Sequence, residues 1–177
     1  MRLETPRLIL REPVDGDVAA IQRYAADPVV VEYLFWGPNT EEDTRRFLAD
    51  AATARAAKPR RQWDLAIVRR ADDRVIGGCR LHLTDPEGAA AADVGYALAR
   101  DAWGQGFAPE AVQALIEFAF DSLGTRRVWA IVEPDNSRSQ RVLEKAGLRR
   151  ERFQRAHRFA KGRWRDSYVY ACYNERL

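Results

Sequence analysis

Cysteine is scarce, with only Cys79 and Cys172 in 177 residues. That is too few for a disulfide framework or a zinc cluster, so no metal is expected. Each cysteine sits in an apolar run without a partner histidine, so both read as small core residues rather than nucleophiles. No stretch approaches the roughly 18 apolar residues of a membrane-crossing helix. The opening residues Met1-Arg2-Leu3-Glu4-Thr5-Pro6 lack the apolar core of a secretory signal, so a cytoplasmic protein without a membrane partner is expected. Histidine is limited to His82 and His157, and lysine to Lys58, Lys145 and Lys161 among 29 basic residues. The 26 acids leave a net charge of only +3, too little to argue for nucleic acid from bulk charge. The arginine surplus, beside alanine tracts such as Ala89 to Ala92, is compositional in the main. A phosphorylated partner is its functional alternative.

Hydrophobic content of 46%, with five Trp, six Tyr and seven Phe, excludes a disordered chain. The length suits one domain over residues 1–177, able to bury about 70% of its unfolded surface. Arg7 to Arg11 reads as a strand, and Asp15 to Ala25 as a helix capped by Asp15 and ended by Asp27-Pro28. Thr40 followed by Glu41, Glu42 and Asp43 opens a second helix, with Phe47, Leu48 and Ala51 facing inward. Gln62 to Arg69, Val75 to Leu83 and Asp93 to Leu98 form a meander with turns at 71–74 and 85–88. Gly77-Gly78 marks a bulge or a close approach. From Ala108 to Leu123 the spacing turns helical; Arg127 to Val132 is a strand, and Asn136 to Ala146 a helix stopped by Gly147. Two strands, Leu148 to Phe159 and Arg163 to Tyr173, close the chain. The result is an α/β or α+β domain on a mixed sheet, with one βαβ unit from Asp93 to Val132.

The stretch from Trp103 to Ala111 joins a strand to a helix. Gly104 and Gly106 let the backbone turn its amides towards one point, and Pro109 suits a first helical turn. Such a loop binds an anion at the positive end of the helix. No Lys follows as in a Walker loop, and Pro109 replaces the third small residue of a dinucleotide fingerprint.

A second constellation runs from Glu133 to Leu148. With the first, it resembles the GNAT superfamily of acetyl-CoA-dependent N-acetyltransferases, and within it the RimJ/RimL-like branch. Arg/Gln-x-x-Gly-x-Gly/Ala is the superfamily's acyl-CoA motif, and here it reads Trp103-Gly104-Gln105-Gly106-Phe107-Ala108. The Trp at its first position matches the aromatic-Trp-Gly-x-Gly often seen in that branch. The Asn-x-x-Ser … Glu-Lys-x-Gly run matches from Asn136 to Gly147. Thr5 to Arg11 and Gly162 to Asp166 extend the resemblance over nearly the whole chain.

This resemblance implies a GNAT-like mixed sheet of about seven strands, splayed in its middle and flanked by helices, with acetyl-CoA as co-substrate in the opening. It assigns Leu98, Ala99, Arg100, Trp103, Gly104, Gln105, Gly106, Phe107, Ala108, Asn136, Ser139 and Arg141 to coenzyme A. It implies direct attack of a primary amine on the thioester, with a backbone N–H near Leu98 facing the carbonyl oxygen. Many members carry a proton-donating Tyr seven residues after the Asn, but that position here is Leu143. Ser139 is the RimL-like alternative. Asp93, His82 and His157 are the candidate bases, each with a structural role as the alternative.

The resemblance implies an acceptor pocket made by the Val29 to Pro38 loop and the last two strands, which makes Tyr33, Phe35 and Trp36 the candidate aromatic wall, joined by Trp164 and Tyr168; Trp63 reads mainly as core. Asp64 or Glu32 could pair a cationic substrate. Acceptors consistent with the branch are a protein N-terminus, a polyamine or an aminoglycoside-like amine, and a homodimer is common in it. Two rival readings stand beside the enzyme: an acyl-CoA sensor without turnover, and a ribosome- or nucleic-acid-binding module using the arginines between Arg149 and Arg165. No nucleic-acid motif accompanies those arginines, and the glycine loop with Ser139 and Asp93 argues for turnover.

Overall fold

The computed structural model describes residues 1–85 and 90–175. Eight strands form one sheet in the order β1-β2-β3-β4-β5-β6-β8-β7. They are β1 (Arg2–Glu4), β2 (Leu8–Arg11), β3 (Gln62–Arg69), β4 (Arg74–Leu83), β5 (Ala91–Leu98), β6 (Arg127–Val132), β7 (Arg149–Ala160) and β8 (Arg163–Tyr173). Five helices flank it: α1 (Val18–Ala25), α2 (Pro28–Val31), α3 (Glu41–Ala56), α4 (Phe107–Asp121) and α5 (Ser137–Lys145). The eighth strand is β1, three residues too short to show an alternation. Every pairing is antiparallel except β5 with β6, the two strands that α4 connects.

The helices divide between the two faces. Leu115, Val112 and Ala111 of α4 and Leu143 of α5 pack with Leu65, Ile67, Leu81, Val128 and Tyr170 in the main core. Trp63 belongs there too, edge-on to Phe118, and not to a pocket. Ile21 and Tyr24 of α1 and Leu48 of α3 cover Ala97 and Ala99 on the other face. Gly77 is a close approach, since a Cβ there would lie 2.3 Å from the Ala97 carbonyl oxygen. A bulge adjoins it: consecutive Ile67 and Val68 of β3 pair with Gly77 and Val75, leaving Ile76 of β4 as the extra residue.

Two helix boundaries differ from the sequence expectation. Asp15 is exposed in a single 3-10 turn, and Asp17 does the anchoring, accepting the Val14 N–H at 2.9 Å and gripping Arg11 at 2.7 and 2.8 Å. Asp27-Pro28 starts a helix instead of only ending one: Asp27 caps α2 through the Val29 N–H, with Pro28 in its first turn. Thr40 caps α3 as expected, in a reciprocal box with Asp43. Cys79 is buried, and burial pushes the Cys172 thiol up to about 11, so neither offers a thiolate near neutrality. The expected turn at 85–88 lies outside the described residues beyond Asp85, as does Ala89.

Candidate active site

The parallel ladder between β5 and β6 lasts only from Ala91–Arg127 to Asp93–Trp129. Beyond it the strands part, leaving Val94–Leu98 and Ala130–Val132 on opposite sides of an opening. Thr84 donates to the Ala91 carbonyl and the Ala99 amide donates to Ile76, both at 2.9 Å. Alternation along β5 therefore sends the main-chain groups of Val94, Tyr96 and Leu98 away from β4 and into the opening. The Leu98 carbonyl is met there by the Trp103 indole N–H at 2.8 Å.

At the wide end of the opening stands the glycine loop. Gly104 and Gly106 have φ of +75° and +80°, the left-handed region that glycine enters without strain. They turn the chain sharply into α4, whose first amides have no side-chain cap and face outward as an anion site. A bracket absent from the sequence expectation fixes this loop from below. Glu110 accepts from Thr5 Oγ1 at 2.6 Å and from the Arg7 amide at 2.9 Å, and pairs with the Arg7 guanidinium at 2.6 Å. Arg7 also donates to the Gln105 carbonyl at 2.8 Å and lies 4.7 Å over the Phe107 ring. Only the Thr5 to Arg11 motif could have signalled it. Gln105 turns its side chain back to the Asp101 carbonyl at 2.8 Å. Ala108 is buried at the start of α4.

Arg138 of α5 stacks over Trp103 at 4.9 Å, closing the loop towards the second leg. Arg141 is exposed on α5. Arg100 is held by Asp27 at 2.6 Å, which ties the strand end to the α2 cap. Ala99 is buried under α1 and α3.

On the second leg, Asn136 caps α5 by accepting the Ser139 amide at 3.0 Å. The hydroxyls of Ser139 and Tyr96 stand 2.6 Å apart across the opening. Burial raises the Tyr96 hydroxyl well above its ordinary value of 10, only partly offset by its bond to Ser139, so it holds its proton. Leu143 is buried in the core and offers no proton.

Asp93 and His82 lie on the opposite face, three positions along β5 from Tyr96 and directly across the ladder from each other. Asp93 accepts from Arg80 at 2.6 Å and stands 3.1 Å from His82 Nδ1. Asp64, on the same face, is buried and takes the Gln62 side-chain amide at 2.6 Å. His157 is apart from all of these, exposed on the edge strand at the bulge between Gln154 and Arg158.

Three long-range contacts join the β7–β8 hairpin to the segment around α2. Lys161 donates to the Val31 carbonyl at 2.6 Å, Arg165 to the Glu32 carbonyl at 3.3 Å, and Arg158 stacks on Phe35 at 4.1 Å. The β7–β8 hairpin thus folds over the α2 loop, where Tyr33 is half-buried and Trp36 exposed. Arg165 pairs with Glu133 beneath it, both buried. Trp164 is exposed and edge-on to Phe159. Trp164 and Tyr168, four positions apart on β8, face away from α2: the ladder partner of Tyr168 is Val132, and it packs against Phe153 and the main core.

The family model described as acetyltransferase (GNAT) domain matches residues 7–149. The chain is a GNAT acetyltransferase. It is 35% identical over 169 residues to the uncharacterized N-acetyltransferase p20 of Bacillus licheniformis, covering 96% of this chain and 94% of that protein. A GNAT-family acetyltransferase structure from Bacillus anthracis superposes with a TM-score of 0.87 at 26% identity over 98% of both chains. Mycobacterium smegmatis RimJ, solved with a CoA-disulfide, shares the fold with a TM-score of 0.83 at 24% identity, over 100% of this chain and 88% of that one.

The GNAT fold uses acetyl-CoA, and the residues here suit it. A strand edge with outward main-chain groups matches the amide-bearing pantetheine arm, and two left-handed glycines before an uncapped helix match a pyrophosphate. Among the described residues no helix is long and apolar enough to cross a membrane.

Proposed function

We propose that this GNAT enzyme transfers an acetyl group from acetyl-CoA directly to a primary amine, with Ser139 as proton donor. One observation carries the reading: Ser139–Tyr96 and His82–Asp93 lie on opposite faces of the β5–β6 opening. An amine can then enter from one face while the sulfur departs towards the other.

When bound, acetyl-CoA supplies an activated acyl thioester. The amides of Gly104, Gln105, Gly106, Phe107 and Ala108 hold its pyrophosphate, and the β5 edge holds its arm. Leu98 offers its N–H to the carbonyl oxygen as charge develops there. Ser139 hands its proton to the sulfur while the Tyr96 hydroxyl, which holds its own proton, steadies the oxygen left behind by a hydrogen bond, and water returns a proton to Ser139 after the thiol departs. On the amine side Asp93 positions His82 by holding the proton on Nδ1, leaving Nε2 to accept the ammonium proton.

A protein α-amine suits this site best. Its ordinary pKa near 7.8, against about 10.4 for lysine, leaves it hundreds of times more often neutral near pH 7.5. Ser139→Ala should lower kcat by about 10²-fold while the KM for acetyl-CoA stays within about twofold. Thiol release from an amine panel reads this, and undiminished turnover would remove Ser139 from the reaction. Tyr96→Phe should lower kcat less, since Ser139 keeps its own proton.

A further inference from the structure

The ion pairs around Asp64 are complete without it. Arg80 and Arg60 are the cations whose charge reaches it, and both are taken, Arg80 by Asp93 at 2.6 Å and Arg60 by Glu12 at 2.8 Å. Asp64 is 6% exposed, and its carboxylate makes one hydrogen bond among the described residues, from the neutral Gln62 amide to Oδ2 at 2.6 Å. Oδ1 accepts nothing there. A carboxylate this buried, without a counter-charge of its own, is costly to keep.

A second polar group on the same face also lacks a partner. Tyr24 of α1 is 4% exposed, and its hydroxyl makes no hydrogen bond among the described residues. It stands over Gly78, where a Cβ would come within 2.7 Å of its oxygen. Gly78 pairs with Ala66, two positions along β3 from Asp64, and the Asp64 charge reaches the Tyr24 hydroxyl. Neither group is sealed in, since among the described residues the Thr125 hydroxyl alone is fully enclosed without a partner. The floor beside them is bare: Gly95 pairs with Arg80, and a Cβ on it would meet nothing within 4 Å. Gly78, His82, Asp93 and Gly95 all keep part of their surface open. Asp64 lies one strand across and two positions along from His82, a diagonal of about 8 Å.

We infer that Asp64 and the Tyr24 hydroxyl anchor a second cation of the acceptor, an ammonium about six bonds from the amine that reacts. The inference rests on the acetyl-transfer reading above, which brings the reacting amine to His82. About six bonds of extended chain, at roughly 1.2 Å each, span most of the diagonal from His82 to Asp64. The ammonium gives Asp64 the counter-charge it lacks and donates to the Tyr24 oxygen as well. Arg80 and Arg60 do not bar it, because each is neutralised by its own acid. A five-carbon diamine has this spacing. So has a polypeptide that begins with lysine, between its α-amine and its side-chain amine.

The test follows thiol release for two matched pairs: cadaverine against pentylamine, and two peptides alike except for Lys or Leu at a free N-terminus. In at least one pair the member with two cations should show a kcat/KM about tenfold or more above the other. That exceeds the roughly twofold that a second reactive amine gives cadaverine by number alone, and the pair that shows it names the source. Asp64→Asn should abolish the advantage through the KM of the two-cation member, with the KM for acetyl-CoA moving less than about twofold. A folded Asp64→Glu should move the preference one carbon shorter, to putrescine or to an ornithine-first peptide, which a structural acid would not do. An advantage absent from both pairs, surviving Asp64→Asn or keeping its length in Asp64→Glu would overturn the proposal. Calorimetry on the coenzyme A complex separates the two levels of inference. Turnover without preference overturns the anchor alone. Cadaverine or the Lys-first peptide bound through Asp64, without thiol release from any amine, overturns the transfer reading and keeps the anchor.

Discussion

The two halves of the opening are built in different ways. The half we propose for coenzyme A is main chain: the β5 edge, two left-handed glycines and the first amides of α4, fixed by the Thr5–Arg7–Glu110 bracket. The half we propose for the acceptor is side chains from segments far apart in sequence, joined by Lys161 to Val31, Arg165 to Glu32 and Arg158 to Phe35. Backbone recognition suits a co-substrate that never varies. A wall of side chains on a hairpin and a loop can be rebuilt for each acceptor without disturbing the first half.

The largest expected effect strikes the acceptor half. Arg165 is 5% exposed, binds the 8% exposed Glu133, and donates to carbonyls of Ala160 and Glu32. Arg165→Met leaves Glu133 buried with Arg163, at 3.4 Å, and the more distant Lys161 to compensate. Breaking a buried pair from one side costs about 3–5 kcal/mol. Urea unfolding should show that loss, and Arg165→Met with Glu133→Leu should recover most of it. A loss below about 1 kcal/mol would mean the hairpin is held by its aromatic contacts instead.

The second effect belongs to the coenzyme half. Gly106→Val forces a β-branched residue to a φ of +80° and places its Cβ 3.2 Å from the Arg7 guanidinium. Strain of about 1–3 kcal/mol follows, and the loop amides lose their common aim. Titration calorimetry should find acetyl-CoA bound about tenfold or more weakly. Acceptor KM should move far less; an equal change in both would erase the distinction between the halves.

That distinction also explains what the sequence could reveal. The Gly104–Gly106 loop, the Asn136 cap and Ser139 are local signals, each complete within one turn of chain, and they were legible. So were β3 to β8 and the helices α3 to α5, whose alternation or helical spacing is long enough to see. Helix α2 was missed because Asp-Pro ends one helix and starts the next with the same two residues. Tyr96 was missed because its partner Ser139 is 43 positions away, and the Arg7–Glu110 bracket because it spans 103. For the acceptor, the resemblance offered aromatic residues as candidates but not the face each would take. Tyr168 turned to the core side, and His157 to the far edge.

The smallest effects have opposite sign in the two halves. Burial would raise the Glu110 carboxyl, but the Thr5 hydroxyl and the Arg7 amide and guanidinium outweigh it and hold it below its ordinary 4.5. The stability it contributes is present above that ordinary value and lost as pH falls through the lowered one. Asp64 is the reverse: burial dominates, the Gln62 amide and more distant Arg80 and Arg60 do not offset it, and its carboxyl lies above its ordinary 3.8. Its contribution is present below that value and lost as pH rises through the raised one. Glu110→Gln should therefore destabilise the protein at pH 7 by about 1 kcal/mol, while Asp64→Asn should stabilise it by about 1 kcal/mol or less. The Asp64 difference should fade as urea melts are repeated from pH 7 down through its raised value, and the Glu110 difference only as pH falls below 4.5. A stabilising Asp64→Asn would mean that an acceptor-face charge is kept despite what it costs the fold, as expected of a residue facing a substrate. If both variants destabilise at pH 7, Asp64 is an ordinary structural acid, and the contrast between the halves reduces to their architecture.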